Sequence, residues 1–221
     1  MATAVVTQKN QNYQHQNPGA DTDDIPDTDT PDTDTGTVPD FSLKTPPNGL
    51  FTASDLDNTR DDGCRYEVIE GRIIVTPSPI GRHQSGIGQL FLLLGHNCPD
   101  GFMVMIAPYD WRTSEGDSLQ PDLMVIREED YNPDGFQLET PLLVIEVLSP
   151  STRIYDQGDK RRAYELLGVN GYWIVDPAAP SIIALQLRGE AYVEIGRVSG
   201  SETFEAGYPY PVVITPDDLF R

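Results

Sequence analysis

The chain reads as an α/β domain on three features of its sequence. Two strongly apolar runs, 121–126 (PDLMVI) and 142–148 (LLVIEVL), have the length and content of buried strands. The second is followed by a helical pattern from about Asp156 to Leu167 and then by the strand-like Gly171–Asp176, which makes a strand–helix–strand crossover. Hairpin signals flank these elements, with a Glu70-Gly71 turn upstream and Arg188-Gly189-Glu190 downstream.

Residues 1–48 come first and differ from the rest. They hold eight Asp and two Lys, repeat Pro-Asp-Thr-Asp-Thr at 26–30 and 31–35, and contain almost no apolar clusters. Such a segment cannot bury enough surface to offset its chain entropy, so a disordered acidic tail is expected, with the domain at 49–221. Within the domain, Thr52 to Asp57 reads as a short capped helix. Residues 64–69 and 72–76 form the first hairpin around Glu70-Gly71. A helix from about Arg82 to Gly95 places His83, Ile87, Leu90, Phe91 and Leu94 on one stripe. Residues 102–107 and 109–112 are expected strands.

The runs 121–126 and 142–148 are separated by 15 residues carrying Asn132-Pro133 and Asp134-Gly135 turn signals, so antiparallel neighbours are the simplest arrangement. In the helix that follows, Lys160, Ala163, Tyr164 and Leu167 fall at i, i+3, i+4 and i+7 and share a stripe, while Arg161, Arg162 and Glu165 lie off it. Gly168 closes this helix. A terminal hairpin is expected from 182–187 and 191–195.

Each apolar run carries one acid, Asp122 in the first and Glu146 in the second. A carboxylate among Leu, Ile and Val loses hydration, at a cost that a cation or hydrogen-bond donors must offset. Antiparallel pairing puts both acids at the same end of the sheet. Period-two alternation groups Asp122 with Met124 and Ile126, and Glu146 with Val144 and Leu148, so one register brings the two onto one face. Lys160 is the charged exception on an otherwise apolar stripe. Two acids and a lysine at one sheet end have the composition of a metal-dependent phosphodiesterase site. The carboxylates would hold Mg²⁺ through hard oxygen ligands, and the ammonium would orient water or screen a phosphate. Each residue also has a plainer reading: Asp122 as a turn cap after Pro121, Glu146 paired with a buried arginine, and Lys160 paired with Asp156 one turn earlier.

At this point the sequence resembles a known family. Pro121-Asp122, then Glu146-Val147-Leu148-Ser149-Pro150-Ser151, then Asp156 with Lys160 and Tyr164, then Gly168-Val169 and Tyr172-Trp173-Ile174-Val175-Asp176-Pro177 form an ordered string. That string resembles the Uma-two family of restriction endonucleases, within the PD-(D/E)XK nuclease superfamily. The hairpin from Tyr66 to Gly71 and the segment from Ser78-Pro79 to His83 fit it too, and the resemblance covers roughly residues 50 to 220. It implies a restriction-endonuclease-like mixed central sheet flanked by helices. It also implies a Mg²⁺- or Mn²⁺-dependent endonuclease acting on DNA, with Asp122, Glu146 and Val147 at the metal. Two residues after Glu146, where the superfamily has Lys, this chain has Leu148. The resemblance implies that Lys160 supplies the ammonium instead. Glu67 is implied as an auxiliary acid, although alternation along its strand cannot aim it. His83, read from its stripe, is more simply a hydrogen-bonded core histidine; it and Glu67 are second-rank catalytic candidates. Enzymes of this fold that cut both strands commonly act as dimers, so a homodimer is expected.

Charge argues the other way. Of the net −20, −14 belongs to the domain, and an acidic surface slows encounter with DNA. A nuclease-fold module that binds protein or nucleic acid without cleaving is therefore the alternative. Local charge can differ: Arg153, Lys160, Arg161 and Arg162 cluster in sequence near the site, and Arg65, Arg72 and Arg82 occupy the preceding hairpin and helix start. Two isolated cysteines, Cys64 and Cys98, and the lack of a sustained apolar segment point to a soluble chain in a reducing cytoplasm, with no membrane contact. Gly116-Asp117-Ser118-Leu119 spells a serine-hydrolase motif, but His15, His83 and His96 all precede it, so the downstream base is missing. Ser85-Gly86-Ile87-Gly88 lacks the lysine of a phosphate loop and reads as the first turn of a helix.

Overall fold

The computed structural model describes residues 45–57, 59, 63–114, 116–149 and 155–220. The tail expected at 1–48 thus falls almost wholly outside the described residues, as does Arg153. In chain order the described elements are β1 (Arg65–Ile69), β2 (Arg72–Thr76), α1 (Gly81–Asn97), β3 (Phe102–Ile106), β4 (Trp111–Arg112), β5 (Ser118–Leu119) and β6 (Leu123–Arg127). Then come β7 (Leu143–Val147), α2 (Arg161–Leu166), β8 (Gly171–Asp176), β9 (Ser181–Arg188), β10 (Ala191–Ser199), β11 (Phe204–Ala206) and β12 (Val212–Ile214).

Six strands form the main sheet in the order β10-β9-β8-β7-β6-β3, and it is mixed: β7 and β8 run parallel, and the other pairs are antiparallel. The parallel pair is the one joined through α2, since a parallel partner cannot be reached by a tight turn. A smaller sheet, β2-β1-β5-β4, and the β11-β12 ribbon complete the fold. In the first hairpin, Glu70 and Gly71 take φ of 49° and 73°, the positive pair that a two-residue turn needs to match strand twist.

Alternation along the main sheet divides the core in two. Leu123, Val125, Leu143, Ile145, Val147, Trp173 and Val175 pack toward α1, β11 and β12. Met124, Ile126, Val144, Leu148, Tyr172 and Ile174 pack on the other face with Ala163 and Tyr164 of α2 and with Ile69, Trp111 and Leu119 of the small sheet. Asp122 and Glu146 share the parity of this second face, where the small sheet closes over the large one.

Several local expectations change. The helix expected from Asp156 begins as a π turn, Asp156–Lys160, and becomes α-helical only at Arg161. It closes as read, with Gly168 at φ 76°, Gly168 N–H donating to Glu165 O and Val169 N–H to Tyr164 O. The strand expected at 109–112 shrinks to Trp111–Arg112, because pairing with β5 starts only at Trp111 and the Asp110 carbonyl accepts from Gln137 N–H instead. The capped helix at Thr52 is a 3₁₀ turn, Ala53–Leu56, with Thr52 N–H donating to the Asp55 carboxylate at 2.7 Å. Gly86 lies in the second turn of α1 rather than its first; a Cβ there would collide with the Phe220 ring, so this glycine serves helix packing. Ser118 of the serine-hydrolase-like motif is a buried residue of β5.

Candidate functional site

Asp122 stands one residue before β6. The pairing of Leu123 with Ile145, carried one residue further, sets it opposite Glu146 of β7. The same sheet end receives side chains from three other elements. Strand β1 sends Arg65 and Glu67 from one face, α1 sends His83 from its first turn, and the π turn sends Lys160. Glu67, Asp122, Glu146, Asp156 and Lys160 are each no more than 2 % exposed.

Two linked networks result. Around Asp122, Arg65 Nη1 donates to Oδ1 at 2.9 Å, while the Val147 N–H (2.9 Å) and His83 Nε2 (3.2 Å) approach Oδ2. Around Lys160, Nζ lies 2.9 Å from Glu146 Oε1, 3.0 Å from Glu67 Oε1 and 3.9 Å from Asp156 Oδ1. The Tyr164 hydroxyl donates to the same Glu146 oxygen at 2.6 Å, and Gln120 N–H donates to Glu67 Oε1 at 2.9 Å. Lys160 is therefore not simply the i+4 partner of Asp156: its two closest contacts come from other elements.

Four buried carboxylates, Glu67, Asp122, Glu146 and Asp156, surround two permanent cations, Arg65 and Lys160. Burial would raise the Asp122 carboxyl, but the hydrogen bond from His83 and the Arg65 charge hold it well below the usual carboxylate range. Burial lowers Lys160, but Glu146 and Glu67 outweigh it and keep the ammonium above the usual lysine range. Glu146 takes the remaining imbalance: burial, opposed by Lys160 and reinforced by Asp122 and Asp156, pushes it up to about 8. Burial and the Glu146 charge keep the Tyr164 phenol protonated, as its role as donor requires.

The donor set fits a hard divalent cation. Two carboxylates face each other in register, and the cluster carries more acid than its own cations balance. Lys160 and Tyr164 both engage Glu146 Oε1, so among the described residues Oε2 receives no hydrogen bond or ion pair. Glu67 Oε2 is buried with no hydrogen-bond partner among the described residues. Those residues contain no ready-made cage of three or more His, Cys, Asp or Glu, so an ion here would rely on two carboxylates completed by main chain and water.

A cleft of about 740 Å³ reaches this centre; Arg65, His83, Gln120 and Asp122 line it, whereas Glu146 and Lys160 lie beneath its lining. The expected basic cluster is not an open phosphate-binding face. Lys160 is buried in ion pairs, Arg65 is bonded to Asp122, and Arg72 and Arg162 lie 3.5 Å and 3.8 Å from Glu70. Arg82 and Arg161 are exposed.

The structure thus gathers Asp122, Glu146, Val147, Lys160, Glu67 and His83 in one place. Sequence reasoning missed Arg65 as a partner of Asp122, although its spacing of two from Glu67 on one strand face was available. It also gave Tyr164 no role toward Glu146, despite placing it one turn after Lys160 on the same stripe.

Residues 52–211 match the Uma2 family, described as "Putative restriction endonuclease". Among solved structures, the chain is similar to one described as "a putative nuclease belonging to DUF820" from Anabaena variabilis. The TM-score is 0.60 at 18 % identity, covering 77 % of this chain and 97 % of that one, and the likeness shows a shared fold. No curated protein matches. Among the described residues no helix is long and apolar enough to cross a membrane.

Proposed function

Because the chain belongs to the Uma2 family, we propose that it is a metal-dependent DNA endonuclease that hydrolyses phosphodiester bonds. The observation that carries this proposal is the opposition of Asp122 and Glu146 at one sheet end, with the Lys160 ammonium 2.9 Å from Glu146. Asp122, Glu146 and Val147 would hold Mg²⁺ or Mn²⁺, which when bound supplies a more acidic water and charge stabilisation at the phosphate.

The chain's own groups do the rest. Lys160, held protonated between Glu146 and Glu67 beneath the cleft lining, offsets charge gathering on the phosphate from below rather than by direct contact. Tyr164 fixes Glu146 through Oε1, so that Oε2 is the oxygen free to serve the ion. His83 Nε2 and the Val147 N–H fix Asp122, a positioning role for His83 that accords with its place in the core stripe. Glu67 holds Lys160 from the opposite side to Glu146. Cutting both strands of a duplex would call for two copies of this site, hence a homodimer, and a chain with two free thiols suits a reducing cytoplasm.

Nicking of supercoiled plasmid is the test. The wild type is expected to nick with Mg²⁺ or Mn²⁺ and not in chelator, and Asp122→Asn to abolish nicking while staying folded. A folded wild type that never nicks in either metal would leave the alternative, a nuclease-fold binding module, which the burial of Glu146 and Lys160 favours.

A further inference from the structure

We infer that Arg65 is the residue through which the cleft takes hold of a substrate phosphate, an assignment that rests on the nucleic-acid substrate proposed above and names its anchor. Arg65 begins β1, lines the cleft together with Asp122 and His83, and keeps 16 % of its side chain exposed. Among the described residues its guanidinium hydrogen bonds all leave from one nitrogen: Nη1 donates to Gln120 O and to Asp122 Oδ1, both at 2.9 Å. Nε lies 3.9 Å from Glu67 Oε2, beyond hydrogen-bond reach, and Nη2 makes no hydrogen bond among the described residues. A guanidinium has five N–H donors in a planar fork, so half of this one is fixed on the site and the other half is uncommitted at the cleft.

The other candidates in the cleft do not meet this description. Arg112 also lines it, but its guanidinium bonds Asp57 at 2.7 Å and lies 3.5 Å over the Phe136 ring. Lys160 is fully buried and outside the lining. Among the described Lys and Arg residues, Arg65 is thus the one that touches both Asp122 and the open cleft. The charges of Glu67, Asp122 and Glu146 hold it protonated against the effect of burial. A fork that keeps Nη1 on Asp122 and offers Nη2 to a phosphate oxygen would set the phosphate beside the carboxylate pair, which is where hydrolysis needs it.

The test is fluorescence anisotropy of a short DNA duplex at fixed Mg²⁺ across a range of KCl concentrations, with nicking assayed separately. Arg65→Gln should weaken binding on the order of tenfold, as for loss of a charge-assisted hydrogen bond. It should also lower the slope of log affinity against log salt by about 1, the signature of one lost phosphate contact. Arg65→Lys keeps a cation for Asp122 and so protects the fold, yet it lacks the fork and should still lose affinity. Arg188→Gln, at the exposed end of β9, should leave the slope unaltered. If Arg65 only positions Asp122, Arg65→Gln will weaken Mg²⁺ binding in calorimetry but leave the salt slope of duplex binding unchanged, which overturns the inference. A wild type that binds the duplex through Arg65 but never nicks it upholds the anchor and defeats the endonuclease assignment. A wild type that nicks while Arg65→Gln binds normally defeats the anchor alone, and one that binds no duplex defeats both.

Discussion

Replacing Lys160 with methionine in the presence of a chelator isolates the electrostatics of the site from any metal. The substitution keeps the stem and volume but removes an ammonium lying 2.9 Å from Glu146, 3.0 Å from Glu67 and 3.9 Å from Asp156. Removing one partner of a buried ion pair costs about 3–5 kcal/mol. At ~2–4 °C per kcal/mol for a chain of this size, that is a fall in Tm of about 6–20 °C. The penalty should depend on pH with a definite sign. Glu146 is already raised to about 8 with Lys160 present, and losing that attraction raises it further. A carboxyl whose folded value exceeds its unfolded value of 4.5 adds stability at low pH and loses it as pH climbs toward the folded value. Near pH 6 Glu146 is neutral in both proteins and contributes no difference. Above pH 8 it ionises in the wild type but not in the variant, so the gap widens by up to ~1.4 kcal/mol per pH unit. Urea unfolding at about pH 6 and about pH 9 measures this directly, with Glu146→Gln added to Lys160→Met as the second variant. The double variant should recover stability at the higher pH, since the side chain at 146 no longer has a proton to hold against the unfolded state. A constant penalty below ~1 kcal/mol at both pH values, or a double variant no better than the single, would refute the network as drawn.

Mg²⁺ or Mn²⁺ at about 100 times its Kd should stabilise the wild type by ~2.7 kcal/mol, and Asp122→Asn should remove most of that shift in thermal unfolding; an equal shift in both proteins would place the metal elsewhere. Gly86→Ala should destabilise by about 1–3 kcal/mol despite alanine's better helix propensity, because its Cβ meets the Phe220 ring; equal or higher urea stability would show that Phe220 moves aside freely.

How much of this was legible depended on whether a residue violated a strong local pattern. Asp122 and Glu146 were conspicuous because each is the lone acid in a run of Leu, Ile, Val and Met, and the register followed from parity once antiparallel pairing was assumed. Lys160 stood out because it interrupts an apolar helix stripe. Arg65 and Glu67 gave no such signal: a charged residue alternating along a hairpin strand reads as solvent-facing, and that face is buried only because the small sheet, assembled by pairing β1 with β5 some fifty residues away, closes over the large one. Strands β5, β11 and β12, of two or three residues, are too short to show a period. The π turn was invisible because it leaves the i, i+4 relation of Asp156 and Lys160 close to that of an α-helix.

The displaced lysine has a structural explanation in the same terms. Leu148, which holds the position expected of lysine, is 2 % exposed and packs in the cluster that includes Val144, Ala163, Tyr164 and Tyr172. That cluster seats α2 on the sheet, and seating α2 carries Lys160 to Glu146 from the side. The apolar residue after Glu146 and the lysine on the following helix are thus one arrangement rather than a loss and an unrelated gain. Leu148 supplies the contact that holds the helix, and the helix supplies the charge. Tyr164 belongs to both halves, packing with Leu148 in the core while donating to Glu146 at 2.6 Å. Any substitution that loosens the α2 seat should therefore act on the chemistry of the carboxylate pair through Lys160 and Tyr164 together, without touching either acid.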